Sequence, residues 1–243
     1  ALTQKSEILV VPEFKAEQSF DSVRKGWKFW SRGSTKYPKL STDQALDKNE
    51  KIVDLQTGEQ HLLLLTDKGK VYTSSTGTTL VGGKSHGQYG LLEYNQFKSP
   101  PPPNVLHEVK LLNNEVNTNT HKVTPRFITQ IAVGSNHSVA LDSNGELYSF
   151  GENYFGQLGH DINGYDNEIV PIPKKIDLVK HHLVKRDYFP KVTEVKASGN
   201  STFAKVQPVR LFHIVRNAQL SQSAVDDALS GQDENEEGFI IGF

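Results

Sequence analysis

Two stretches of this chain share one layout: GEQHLLLLTDKGKVYTSSTG from Gly58, and GSNHSVALDSNGELYSFGENYFGQLG from Gly134. The offset between them, 134 − 58 = 76, also relates His61 to His137, Gly69 to Gly145 and Tyr72 to Tyr148. A fixed internal period constrains the fold strongly, because each copy must be a structural unit that buries its apolar face against a neighbour. Within each copy LLLLT and SVALD are β-prone runs, DKG and SNG are turns, and KVYTS and ELYSF resume the alternation, so each copy predicts a hairpin. Asn144 and Gly145 are both expected at positive φ in that turn. KIVDLQT and FITQIAV, just upstream, add a further strand and predict a three- or four-stranded sheet per unit.

A third copy begins at VTEVKASGNSTFAKV, where Asn200, Phe203 and Ala204 match Asn136, Val139 and Ala140 at 204 − 140 = 64. Its last strand arrives late, in EGFIIGF, with Gly238 and Phe243 standing for Gly145 and Phe150 at 238 − 145 = 93. The difference, 93 − 64 = 29, is the length of a segment inserted between two strands of one sheet. Upstream, WKFWSRGSTKYPKL reads as the tail of an earlier unit, with Trp30 in the place of Phe150. The expected organisation is an N-terminal segment with the remnant of a preceding unit (1–50), a unit with a proline-rich insertion (51–126), the best-matching unit (127–190), and an incomplete unit (191–243) interrupted by insertion 207–237.

Small sheets repeated at such spacing predict an all-β propeller, in which every blade is covered by the next. GSNHSVALDSNGELYSFGENYFGQLGH resembles the regulator of chromosome condensation repeat: a glycine turn with histidine, a small-apolar strand, a turn glycine, an aromatic followed by Gly151, and the turn Gly156, Gln157, Leu158, Gly159. The first copy departs from it, with Ser74 and Ser75 replacing the aromatic–glycine pair and GQYG at Gly87 to Gly90. The third has Ser201 where the others have histidine. The resemblance extends over most of Lys51 to Phe243 and implies a partial propeller, part of a seven-bladed ring. At roughly 50 residues per blade a ring needs about 350, so the 243 residues here are expected to belong to a longer protein. The chain starts at Ala1 and has no methionine, which points the same way, to a processed form, a fragment, or a partial reading of a longer polypeptide. On this reading the repeated glycines make turns, the aliphatics pack blade on blade, and His61 and His137 bond to backbone within their own blade.

Composition removes several function classes. Twenty-seven basic against 28 acidic residues leave a net charge of −1, so nothing global attracts nucleic acid. Without cysteine there are no disulfides, thiolate zinc sites or cysteine nucleophiles. The longest apolar runs, Ile8 to Val11 and Leu62 to Leu65, are far short of the roughly 20 residues of a membrane-spanning helix. GGKS at Gly82 to Ser85 lacks the glycine a phosphate loop needs at Thr78, and no histidine pair has metal-binding spacing. No catalytic residue, cofactor or metal is expected.

The candidate binding residues lie in the excursions. KHHLVKR places Lys180, His181, His182, Lys185 and Arg186 in a local basic patch suited to an acidic partner or RNA. The 207–237 insertion adds Arg210, Phe212 and Arg216, with helix-compatible spacing through Leu220, Ala224, Val225 and Ala228. Pro100 to Pro103 is expected to stiffen a loop running from Gln96 to Glu115. The sequons at Asn136 and Asn200 are expected to be by-products of the repeat. The resemblance implies a non-catalytic scaffold for a protein partner or multiprotein assembly, with guanine nucleotide exchange on a small GTPase as the alternative. Mitochondrial relatives suggest a mitochondrial address, with cytoplasm or nucleus as the alternative.

Overall fold

The computed structural model describes residues 40, 42, 45–76, 85–94, 99–103, 105–160, 168–178, 188–210 and 239–243. The first sheet contains β1 (Ile52–Thr57), β2 (His61–Thr66), β3 (Val71–Ser75) and β4 (His107–Glu108), antiparallel in that order. A short helix α1 (Lys110–Asn113) and a two-stranded hairpin, β5 (Asn114–Val116) with β6 (Val123–Pro125), lead into the second sheet. That sheet contains β7 (Ile128–Val133), β8 (His137–Asp142), β9 (Leu147–Glu152) and β10 (Ile169–Lys175), again in sequential order. The third contains β11 (Tyr188–Ser198), β12 (Ser201–Arg210) and β13 (Phe239–Gly242).

Strand register reproduces the spacing of the repeat. Leu64 pairs with Tyr72, Ala140 with Tyr148 and Ala204 with Ile241. From the first pair to the second both partners advance by 76; from the second to the third the advances are 204 − 140 = 64 and 241 − 148 = 93.

The sheets stack face to face around their first strands, with β7 in contact with both β1 and β11. Leu63, Leu65 and Val71 of the first sheet meet Ile131, Ala140, Tyr148 and Phe150 of the second. Val139, Leu141 and Leu147 of the second meet Val192, Val195, Ala204, Val206 and Ile241 of the third. Because β2 and β8 are covered on both faces, all six residues of each are buried, and their apolar residues, Leu62 to Leu65 and Val139 to Leu141, are consecutive instead of alternating. On the opposite side of the first sheet, Leu62, Leu64 and Tyr72 are covered by Leu40, Leu46 and Leu106. The architecture is all-β, a partial propeller.

Two local expectations need correction. The β8–β9 turn uses a three-residue loop: Asp142 N–H donates to Glu146 O, and Gly145 N–H donates to Asp142 O. Only the glycine then takes positive φ, at 81°, while Asn144 does not, because the residue before it in this bulged turn stays right-handed. The Asp142 carboxylate accepts from the Asn144 and Glu146 amides and sets the turn. Nor is the Gln96–Glu115 stretch simply a loop. Pro103 bridges to Ser75, and His107 and Glu108 form the outer strand β4, so this excursion completes the first sheet.

Candidate functional site

Antiparallel order brings the β1–β2, β7–β8 and β11–β12 turns to one end of the sheets, together with the ends of β3, β9 and β13. At this end a hydrogen-bond relay joins each sheet to the next. His61 Nε2 lies 2.9 Å from Ser138 Oγ, and that hydroxyl donates to Gln88 O at 2.9 Å. One sheet on, His137 Nε2 lies 2.9 Å from Thr202 Oγ1, which donates to Gln157 O at 2.8 Å. Since each hydroxyl proton is committed to a carbonyl, each imidazole donates through Nε2. These histidines therefore bridge neighbouring sheets; their ring nitrogens do not serve the backbone of their own sheet as expected.

Burial pushes the pKa of His61 down to about 3 and that of His137 to about 4, so both rings are neutral. Glycine makes room for them: a Cβ on Gly134 would sit 2.1 Å from His137 Cε1 and 2.6 Å from Gly199 O. A backbone ladder runs alongside, with Glu59 N–H donating to Ser135 O and Ser135 N–H to Gly199 O.

Each Gly-Gln-X-Gly turn caps the same end. Gly87 and Gly90, like Gly156 and Gly159, have positive φ, and Gly90 and Gly159 N–H donate to Gly87 and Gly156 O. Their central Tyr89 and Leu158 are fully buried. Gly90 and Gly159 face the rings of Phe150 and Phe243, each an aromatic of the following sheet.

The residues just before the two turns differ. Ser85 is buried, and its hydroxyl donates to Tyr94 O. Its counterpart in the second copy is Tyr154, 47% exposed, followed by Phe155, 69% exposed. Phe155 stands where the first copy has His86, which lies 3.6 Å from the Glu152 carboxylate. The loop holding the two aromatics is tied down: Leu158 N–H donates to Asn153 Oδ1, Phe155 N–H to Gln157 Oε1, and Asn153 N–H to Glu168 O.

A cleft of about 600 Å3 runs along the first strands, past Asp54, Gln56, Gln130, Glu194, Lys196 and Phe203. Its polar groups hold the wall together. Gln130 bonds to Thr193 O and Val195 N–H, Glu194 pairs with Lys196 at 2.9 Å, and Asp54 accepts from Leu55 N–H.

The basic patch Lys180, His181, His182, Lys185 and Arg186 lies outside the described residues, as do Phe212 and Arg216 and the insertion's helix-compatible stretch. Arg210 ends β12, opposite Tyr188. Sequence reasoning passed over Tyr154 and Phe155; the signal available was that the first copy does without aromatics at both positions. A buried serine–histidine pair, Ser149 with His160 at 3.0 Å, was also unforeseen. Ser149 donates its proton to Leu158 O, so this hydroxyl is held as a structural donor. Among the described residues no group of three or more His, Asp or Glu side chains is arranged to hold a metal ion.

Repeating sheets joined by such turns define a repeat-built propeller. The family described as "Regulator of chromosome condensation (RCC1) repeat" matches residues 128–157 and again 144–204. The chain belongs to this RCC1-repeat family. Protein FMP25, mitochondrial, of Saccharomyces cerevisiae is 36% identical over 204 residues, covering 81% of this chain and 34% of FMP25. Human protein RCC2 is 32% identical over 133 residues, covering 51% of this chain and 21% of RCC2. The human X-linked retinitis pigmentosa GTPase regulator is 32% identical over 124 residues, covering 51% of this chain and 10% of that protein. Yeast RCC1 (Prp20), in its crystal structure with Kap60, is similar at 22% identity with a TM-score of 0.45, covering 70% of this chain and 30% of that one. The chain thus spans about a third of FMP25 and about a fifth of RCC2.

Proposed function

We propose that this chain is part of a non-catalytic propeller scaffold that holds a partner protein or multiprotein assembly in the mitochondrion. The observation that carries this reading is the division of labour within the repeat. Residues shared between copies face neighbouring sheets, whereas Tyr154 and Phe155, which the first copy lacks, face outward on a rigid turn. The relation to FMP25 supports the mitochondrial address. The segments 51–126, 127–190 and 191–243 would be successive folding units of a longer ring, and no cofactor enters this reading.

Affinity capture of the full-length protein from isolated mitochondria tests it. A protein partner is expected to co-purify in defined stoichiometry; recovery of nothing beyond what an unrelated propeller retains overturns the reading.

The printed name of one relative, a GTPase regulator, favours a second reading: guanine nucleotide exchange on a small GTPase. Accelerated release of labelled guanine nucleotide by the full-length protein would support it. An unchanged release rate across the compartment's GTPases would eliminate it.

A further inference from the structure

Both junctions between neighbouring described sheets are built from the same parts. The earlier sheet supplies a histidine, the glycine that makes room for it and a turn carbonyl: His61, Gly58 and Gln88 O at the first junction, His137, Gly134 and Gln157 O at the second. The later sheet supplies a hydroxyl and an aromatic ring, Ser138 with Phe150 and then Thr202 with Phe243. Two positions after each hydroxyl stands a buried alanine, Ala140 or Ala204, packed against the earlier sheet. The far end of each junction is pinned as well, since Ile128 N–H donates to Gly69 O and Val192 N–H to Gly145 O.

The outer faces of the same sheets do not carry these parts. On the first sheet, Leu62, Leu64 and Ser74 hold the positions of the hydroxyl, the alanine and the aromatic. Leucine offers a histidine no polar atom, and the Ser74 hydroxyl is spent on Ser75 O. Leu62 and Leu64 pack instead with Leu40 and Leu106, neither of which lies in a strand. On the third sheet, Ser198 and Ser201 stand where the second has Gly134 and His137. The two changes belong together, because only an imidazole requires the glycine beside it. Its outward strand shows Phe203 and Lys205 where β8 buries Val139 and Leu141. The histidine joint is thus written into both inner junctions and left out of both outer faces.

We propose that the three sheets form one self-terminated body, which opens and shifts as a unit against whatever flanks it in the longer protein. This holds whether or not that protein is a scaffold. Parting an inner junction leaves a buried imidazole and a buried hydroxyl without partners and breaks backbone bonds at both ends, which penalises separating one sheet from the next. Neither outer face has a histidine–hydroxyl pair to orphan. The compliant boundaries therefore lie outside the three sheets, and a displacement applied to the first is carried through to the third.

Native-state hydrogen exchange on the full-length protein, followed peptide by peptide at rising urea below unfolding, tests this. Amides of β2, β8 and β12 are expected to exchange through one shared opening with one urea dependence. The most protected peptides outside residues 40–243 are expected to use a different opening, its equilibrium at least about tenfold apart. His137→Gln with Thr202→Ala is expected to split β12 from β2 and β8. Separate openings for the three strands in the unsubstituted protein overturn the proposal, as does a single opening shared with the whole remainder of the protein. An unsplit opening in the double variant also overturns it; should that variant fail to fold, the unsubstituted protein decides alone. Leu62→Ser, which writes the joint's hydroxyl into the first sheet, is expected to lower Tm by loosening the contact with Leu40 and Leu106. An unchanged or raised Tm would reveal a histidine joint on that side and overturn the proposed boundary.

Discussion

β8 and β12 hold the same place in successive copies and meet opposite surroundings. Every residue of β8 is buried, whereas β12 alternates: Thr202, Ala204 and Val206 are buried and Phe203, Lys205 and Gln207 are exposed. Lys205 stands where β8 has Leu141, and Phe203 where it has Val139. The backbone register is unchanged, so what differs is how many faces are covered: two around β8, one along the described part of β12. Side-chain alternation in a propeller strand thus records its neighbours more than its own conformation.

Making β8 resemble β12 should have the largest effect. Leu141→Lys places an unpaired ammonium among Leu147, Val192 and Val206 and is expected to destabilise by about 4 kcal/mol in urea unfolding. A loss under about 1 kcal/mol would mean that the sheets separate easily. Gly134→Ala comes next, at about 3 kcal/mol, because the added methyl meets both the His137 ring and the Gly199 carbonyl. Gly199→Ala, with nothing within 4 Å of the new Cβ but φ at +54°, should cost only about 1 kcal/mol.

Acid should act through the same interfaces. The unfolded histidines take up protons below pH 6.5, whereas folded His61 and His137 resist until about 3 and about 4. Their contribution is complete above pH 6.5 and is lost as pH falls toward those lower values. Going from pH 7 to pH 5 should cost about 2 kcal/mol per histidine, and His137→Gln should remove its share of that slope. The smallest effect is expected for Lys205→Leu, within about 0.5 kcal/mol, since the side chain is exposed.

Much of the scaffold was legible because its signals are local. The 76-residue offset, the turn glycines and the late arrival of β13 all follow from patterns a few residues long. The relay was not legible, since it joins His61 to Ser138, 77 positions away, and arises only when two sheets dock. The β5–β6 hairpin escaped notice for a different reason. Val116 and Val123 flank the polar stretch NTNTHK, but three-residue strands carry too little alternation to stand out. The exposed pair Tyr154 and Phe155 is written in the sequence, but that it shares an end with the histidine relay depends on which turns meet there.

The unequal advance between equivalent strands, 76 residues in one place and 64 in another, leaves the strand register and the histidine–hydroxyl bridge between sheets in place. Connector length is therefore decoupled from how the blades seat against one another. Such a molecule can acquire or shed whole peripheral segments while its joints stay fixed, and a tag grafted into the 117–122 turn should be carried with no adjustment elsewhere.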